Sequence, residues 1–229
     1  MRPKLVLFGD SITEGSFEES GWGASLANHF TRRADVILRG YSGYTTRFAL
    51  KIIEKTMEGI GGDEKSPVTA VTVFFGANDA ALPDRRHGLL HVPLAEYQKN
   101  LKSIYAYFKK IWPSAVVIFI TPPPVDDEAR IRLLPEDDTS GLPERTNEAA
   151  GEFAKACIAV AKECGSPVID IWSKMQQVPD WEKSTLSDGL HLAALGNKVL
   201  FEEVLRELKA VGLSDETFPA DAPPVESLL

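Results

Sequence analysis

Five short apolar runs punctuate the chain: "KLVLF" (4–8), "DVILR" (35–39), "VTAVTVFF" (68–75), "AVVIFI" (115–120) and "PVIDI" (167–171). They are rich in Val and Ile, and such near-continuous runs read as strands buried on both faces. Between them, apolar positions recur at helical spacing over about residues 22–33, 45–59, 94–111, 145–164 and 193–210. Leu26, Ala27 and Phe30 share a face of the first segment. Leu101, Ile104, Tyr105 and Phe108 share one in the third, and Val199, Leu200, Val204, Leu205 and Leu208 in the last. Strand and helix alternate five times, which predicts an α/β fold: a five-stranded parallel sheet with helices on both faces.

The connections are uneven. Residues 122–143, "PPPVDDEARIRLLPEDDTSGLP", form a long Pro- and Asp-rich stretch after the fourth strand. A loop of that length in a compact domain is a lid, a binding loop or disorder. Residues 214–229, "SDETFPADAPPVESLL", read as a mobile tail on a single domain spanning 1–213. "GIGG" (59–62) reads as a helix stop and flexible turn; no strand precedes it, so it is not a dinucleotide loop.

The 229 residues, 44% of them hydrophobic, suit one domain with a sizeable core. A net charge of −8 speaks against nucleic acid or an anionic membrane as a partner held through a basic face. No apolar run approaches the ~20 residues of a membrane span. The apolar run at the start is too short for a signal peptide, and cytoplasmic location is the expectation. Cys157 and Cys164 fall in one predicted helix, so their Cα atoms would stand about 10 Å apart, too far for a disulfide.

In an open parallel sheet, ligands bind beyond the carboxyl ends of the strands. After the first strand comes "GDSITEG" (9–15), after the second "GYSGYTT" (40–46), after the third "GANDA" (76–80), and before the last helix "LSDGLHL" (186–192). Ser11, Gly43, Asn78, Asp188 and His191 therefore converge on one rim. A serine is a weak nucleophile until a base takes its proton. His191 is the natural base, with activity rising through about pH 6–7 as it loses its proton. Asp188, three residues earlier, is placed to orient it. The N–H groups of Ser11 and Gly43, with the Asn78 amide, supply donors for a developing oxyanion. No metal or other cofactor is required.

"FGDSIT", "SGY", "GAND" and "DGLH" resemble the four signature blocks of the SGNH hydrolases, also called GDSL esterases and lipases. By that resemblance Ser11 matches the nucleophile, Gly43 and Asn78 match oxyanion-hole positions, and Asp188 and His191 match the family's Asp-x-x-His. The order and spacing agree across residues 7–192. "LRGYSGYTTRFAL" and "HVPLAEYQKNL" look like the isoamyl acetate-hydrolysing esterase branch. The resemblance implies a flavodoxin-like three-layer αβα fold and a small-molecule substrate: carboxylic esters, acetates among them.

Other features carry less. Asp10 and Asp79 read as hydrogen-bonding turn residues. His87 and His91 have a four-residue spacing, but Gly88 intervenes and no third ligand is near, so they read as loop residues rather than a metal site. Phe17, Tyr44 and His91 are candidate pocket walls, and Trp22 either packs or lines the rim. The G-x-S-x-G elbow of the α/β-hydrolases is missing its second glycine, and nothing matches a phosphate-binding P-loop. A competing reading is a flavin-binding module in which Ser11, Thr13, Gly15 and Ser16 cradle a phosphate. It leaves Asp188 and His191 without a task.

Overall fold

Parallel pairing joins five strands: β1 (Lys4–Gly9), β2 (Asp35–Gly40), β3 (Val68–Phe74), β4 (Val116–Ile120) and β5 (Val168–Ile169). Their order across the sheet is β2-β1-β3-β4-β5, the flavodoxin-like order of a doubly wound fold. This computed structural model describes residues 2–61 and 65–229; Gly62 of the expected "GIGG" turn lies outside the described residues.

β1, β3 and β4 bury both faces, as their unbroken apolar runs predict; β2, expected to do the same, is only half-buried throughout because it lies at the sheet edge. Val6, Phe8, Val71, Val73, Val117 and Phe119 point into one core, and Leu5, Leu7, Ala70, Ile118, Ile120 and Ile169 into the other. A register shift at Lys4/Leu5 leaves Thr69 unmatched, which puts Val68 in the same core as Val71 despite the odd spacing. Burying a Leu or Phe side chain contributes about 1.5–3 kcal/mol, against about 0–1 kcal/mol for an exposed ion pair. The two cores, rather than the surface salt bridges, hold the layers together.

The helices are α1 (Ser11–Glu14), α2 (Trp22–His29), α3 (Thr46–Met57), α4 (Leu94–Ile111), α5 (Asp127–Arg132), α6 (Asn147–Cys164), α7 (Ile171–Met175), α8 (Trp181–Ser184) and α9 (Ala194–Ala210). Buried residues of α3, α4 and α6 close the first core, and those of α2, α7 and α9 the second. The caps follow from sequence. Thr146 accepts from the Ala149 N–H at the start of α6, and Gly165 ends that helix in the left-handed region at φ 62°.

The α/β expectation holds, with shifted boundaries. α2 stops at His29, not 33, and Arg32 beyond it takes a left-handed φ of 65° that no helix continues through. β5 is only two residues long, because Asp170 caps α7 by accepting from Ser173 N–H and turns Ile171 into a helix. The 122–143 stretch carries α5, capped by Asp126. The first part of the expected tail is docked. Phe218 is buried edge-on to Phe30 with centroids 5.5 Å apart, and Arg33 donates to the carbonyls of Asp215 and Phe218. Cys157 and Cys164 are both free thiols. Burial pushes the Cys157 thiol up to about 12. Among the described residues, no helix is long and apolar enough to cross a membrane.

Candidate active site

The carboxyl ends of β1, β2 and β3 are level: Gly9 stands opposite Gly40 on one side and Phe74 on the other. The loops that follow therefore start side by side. Asp10 caps α1 by accepting from the Ile12 N–H at 3.0 Å, and its own N–H donates to Phe74 O. Ser11 is the first residue of that single turn. Trp22, fully buried, clamps the turn by donating its indole N–H to Ile12 O at 3.2 Å. Gly40 makes the fit possible, since a Cβ there would lie 2.0 Å from Glu14 N.

The second loop is tied to the first and the third. Tyr41 N–H donates to Gly9 O at 2.9 Å and Ser42 N–H to Glu14 Oε2 at 2.6 Å. Gly43 turns the chain at φ 76°, a conformation L side chains avoid. The Asn78 Nδ2 group donates to Tyr44 O at 3.0 Å. Next to it, buried Asp79 accepts from Thr46 N–H at 3.0 Å and from the Thr46 hydroxyl. Burial pushes both Asp10 and Asp79 up to about 7, against the hydrogen bonds each accepts. Gly43 and Asn78 thus sit on loops that leave the same rim of the sheet as the Ser11 turn and are tied to each other through Tyr44 O.

The fourth contributor arrives from far along the chain. Leu186 and Leu192 bridge antiparallel, and Ser187 N–H closes the turn onto His191 O at 2.9 Å. Within this turn Asp188 Oδ1 accepts from the Leu190 and His191 N–H groups at 3.0 and 2.7 Å. Its Oδ2 meets His191 Nδ1 at 2.8 Å, and His191 Nε2 lies 2.9 Å from Ser11 Oγ. Burial alone would raise Asp188, but the bonds from His191 and Leu190 hold it well below the usual carboxylate range. The bond to Asp188 raises His191 above the ordinary imidazole value of 6.5, with burial opposing. A neutral His191 protonated on Nδ1 offers Nε2 as an acceptor to the serine hydroxyl. That is the geometry of proton abstraction.

A cavity of about 450 Å³ opens at the Ser11–His191 pair. Polar groups dominate its wall, among them Glu14, Glu18, Glu19, Ser42 and Asn197. The three expected wall residues lie outside this lining, as do Gly43 and Asn78. Phe17 is 41% exposed on the turn after α1. Tyr44 packs its ring on Tyr41 and Phe48, and His91 Nδ1 is engaged by Ala81 O at 2.8 Å. Among the described residues no group of three His, Cys, Asp or Glu is placed to hold a metal ion.

A second set of residues borders the site without a sequence forecast: Arg130, Glu144 and Arg145. Glu144 and Arg145 are buried and ion-paired at 2.9 Å. An adjacent Glu-Arg just ahead of a helix cap reads as a solvated charge pair, so sequence alone gave no signal for it.

A doubly wound parallel sheet with helices on both faces and a polar site at its carboxyl rim is the architecture of the three-layer α/β hydrolases. Comparison narrows it. The GDSL-like Lipase/Acylhydrolase family model matches residues 5–204. A GDSL esterase/lipase of Arabidopsis thaliana is 58% identical over 231 residues, covering 100% of this chain and 95% of the relative. The isoamyl acetate-hydrolyzing esterase 1 homolog of Homo sapiens is 47% identical over 204 residues, covering 88% of this chain and 79% of the relative. Among solved structures, the lipase/acylhydrolase from Enterococcus faecalis superposes with a TM-score of 0.69 at 30% identity, covering 92% of this chain and 97% of that one. The chain belongs to the GDSL (SGNH) hydrolase family and is a carboxylic ester hydrolase.

Proposed function

We propose that this esterase cleaves small carboxylic esters, acetates and other short acyl esters, through an acyl-enzyme on Ser11. The observation that carries the mechanism is the unbroken relay Ser11 Oγ–His191 Nε2, 2.9 Å, and His191 Nδ1–Asp188 Oδ2, 2.8 Å. Small substrates fit the modest, mostly polar cavity, and relatives at 47% identity bear the name isoamyl acetate-hydrolyzing esterase.

As Ser11 Oγ attacks the ester carbonyl carbon, its proton passes to His191 Nε2. Asp188 holds the imidazole and stabilises the imidazolium that forms. The carbonyl oxygen, now negative, is received by the N–H groups of Ser11 and Gly43 and by Asn78 Nδ2. The bond to the alkoxy oxygen breaks, and His191 gives its proton to the departing alcohol. Water then surrenders a proton to His191 and attacks the acyl carbon; the bond to Ser11 Oγ breaks, His191 returns that proton to Oγ, and the acid leaves.

Hydrolysis of p-nitrophenyl esters from acetate to palmitate tests the reading. Turnover is expected on the shortest esters and to fall steeply with chain length; equal rates on palmitate would overturn the short-acyl assignment. Asn78→Ala is expected to lower kcat by roughly 10²–10³, about 3–4 kcal/mol of oxyanion stabilisation. A wild-type rate would remove Asn78 from the hole. The pH profile is expected to show an acid limb centred above 6.5, because Asp188 favours the protonated His191 and the base works only once that proton is gone. A limb centred at or below 6.5 would contradict the pairing.

A further inference from the structure

An asparagine amide is useful to an oxyanion in only one of its two orientations. Nδ2 donates, whereas a flipped amide would present Oδ1 to a negative charge. The two ends differ little in shape, so partners must choose between them. On the Oδ1 side stands Arg145, whose Nη2 donates at 3.0 Å while its Nε donates to Ala77 O at 2.8 Å. A guanidinium has no acceptor, so only Oδ1 can face it. On the other end Tyr44 O accepts from Nδ2 at 3.0 Å, leaving the second Nδ2 hydrogen for a ligand. Asn78 is 5% exposed and Arg145 4%.

A buried guanidinium is costly, and burial lowers the Arg145 pKa against the pull of Glu144. Glu144 Oε1 accepts from Arg145 Nη1 at 2.9 Å and from Arg130 Nε at 3.0 Å. Arg130 in turn donates to Asp188 O at 3.1 Å, with Nη1 3.4 Å from Asp188 Oδ2. His87 Nδ1 lies 3.4 Å from Arg145 Nη1. Buried ion clusters seldom stabilise a fold better than apolar packing would. In this cluster a single carboxylate oxygen links Arg145, which grips Asn78, to Arg130, which grips Asp188.

We infer that Arg145, charge-balanced by Glu144, is a positioning residue that locks Asn78 with Nδ2 facing the oxyanion. The inference rests on the assignment of Asn78 to the oxyanion hole, and the test separates the two. Wild type, Asn78→Ala, Arg145→Met and the double variant are compared on p-nitrophenyl acetate. Arg145→Met is expected to lower kcat roughly 10–100-fold, a part of the loss from removing the donor itself, with KM little changed. Because Arg145 acts through Asn78, the double variant is expected to be no slower than Asn78→Ala alone. Thermal melts run beside the kinetics separate lost folding from lost rate. Should Arg145→Met fail to fold, Arg145→Lys takes its place in the same cycle. It keeps a charge for Glu144 but cannot grip Ala77 O and Asn78 Oδ1 together, so an intermediate, equally non-additive loss is expected. A wild-type kcat in the folded Arg145 variant, or losses that multiply in the double variant, would overturn the positioning role while leaving the oxyanion hole intact. A wild-type rate in Asn78→Ala would overturn both.

Discussion

Replacing Ser11 with alanine is expected to lower kcat on p-nitrophenyl acetate by about 10⁵–10⁶-fold, the loss seen when a serine nucleophile that acts as part of a unit is removed. The side chain is small and lines the cavity, bonded to His191 Nε2. Its loss should leave the fold and melting temperature close to wild type. Binding and oxyanion donors survive, so a residual rate roughly 10³–10⁴ above the uncatalysed reaction is expected. Combining Ser11→Ala with His191→Ala should cost little more than Ser11→Ala alone, since the base has nothing left to activate. Ser11→Ala retaining more than a tenth of wild-type turnover would refute the acyl-enzyme.

Asp188→Asn is expected to lower kcat by about 10⁴-fold while barely disturbing the structure. The reason lies in how the carboxylate is held. Oδ1 accepts from two backbone N–H groups, those of Leu190 and His191. An asparagine must keep its carbonyl oxygen there, because its NH₂ would meet donors. The NH₂ is then left facing His191 Nδ1, where an N–H donor forces the imidazole proton onto Nε2. The nitrogen that should accept from Ser11 Oγ becomes a donor, and the base is disabled without moving. Measured kcat beside the imidazole tautomer, read from ¹⁵N shifts, checks both halves. A fully active Asp188→Asn variant would mean that His191 needs no such partner.

The sheet and the long helices were legible because burial on both strand faces writes unbroken Val/Ile runs and helix amphipathicity writes a 3.6-residue period. α4 matches its forecast at both ends, Leu94 and Ile111. The misjudged boundaries turn on single residues: the Asp170 cap that cuts β5 short, and the left-handed Arg32 after α2. At the site, the Ser11–His191–Asp188 contacts could be anticipated from sequence because each residue follows a strand or precedes the last helix, and the strands align those points; Gly43 and Asn78 were expected at the same rim and lie on the loops after β2 and β3. The cavity wall could not be anticipated. Whether Phe17 or Glu18 lines the cavity depends on how the short turn after α1 is set, and nothing periodic records that. Glu144 and Arg145 were hidden for a related reason: a charge pair looks the same in sequence whether it meets water or Asn78.

The hydrogen bond between Ser11 and His191 spans 180 positions of sequence. During translation Ser11, just past β1, leaves the ribosome long before its proposed base does. On the proposed mechanism, the chain is not hydrolytic in that interval. A polypeptide cut short by a premature stop between β4 and His191, or clipped there by a protease and parted, would carry β1 to β4 yet lack the proposed base. On the proposed mechanism this protein's ester turnover therefore counts molecules finished through His191, and an antibody against the N-terminal half would not.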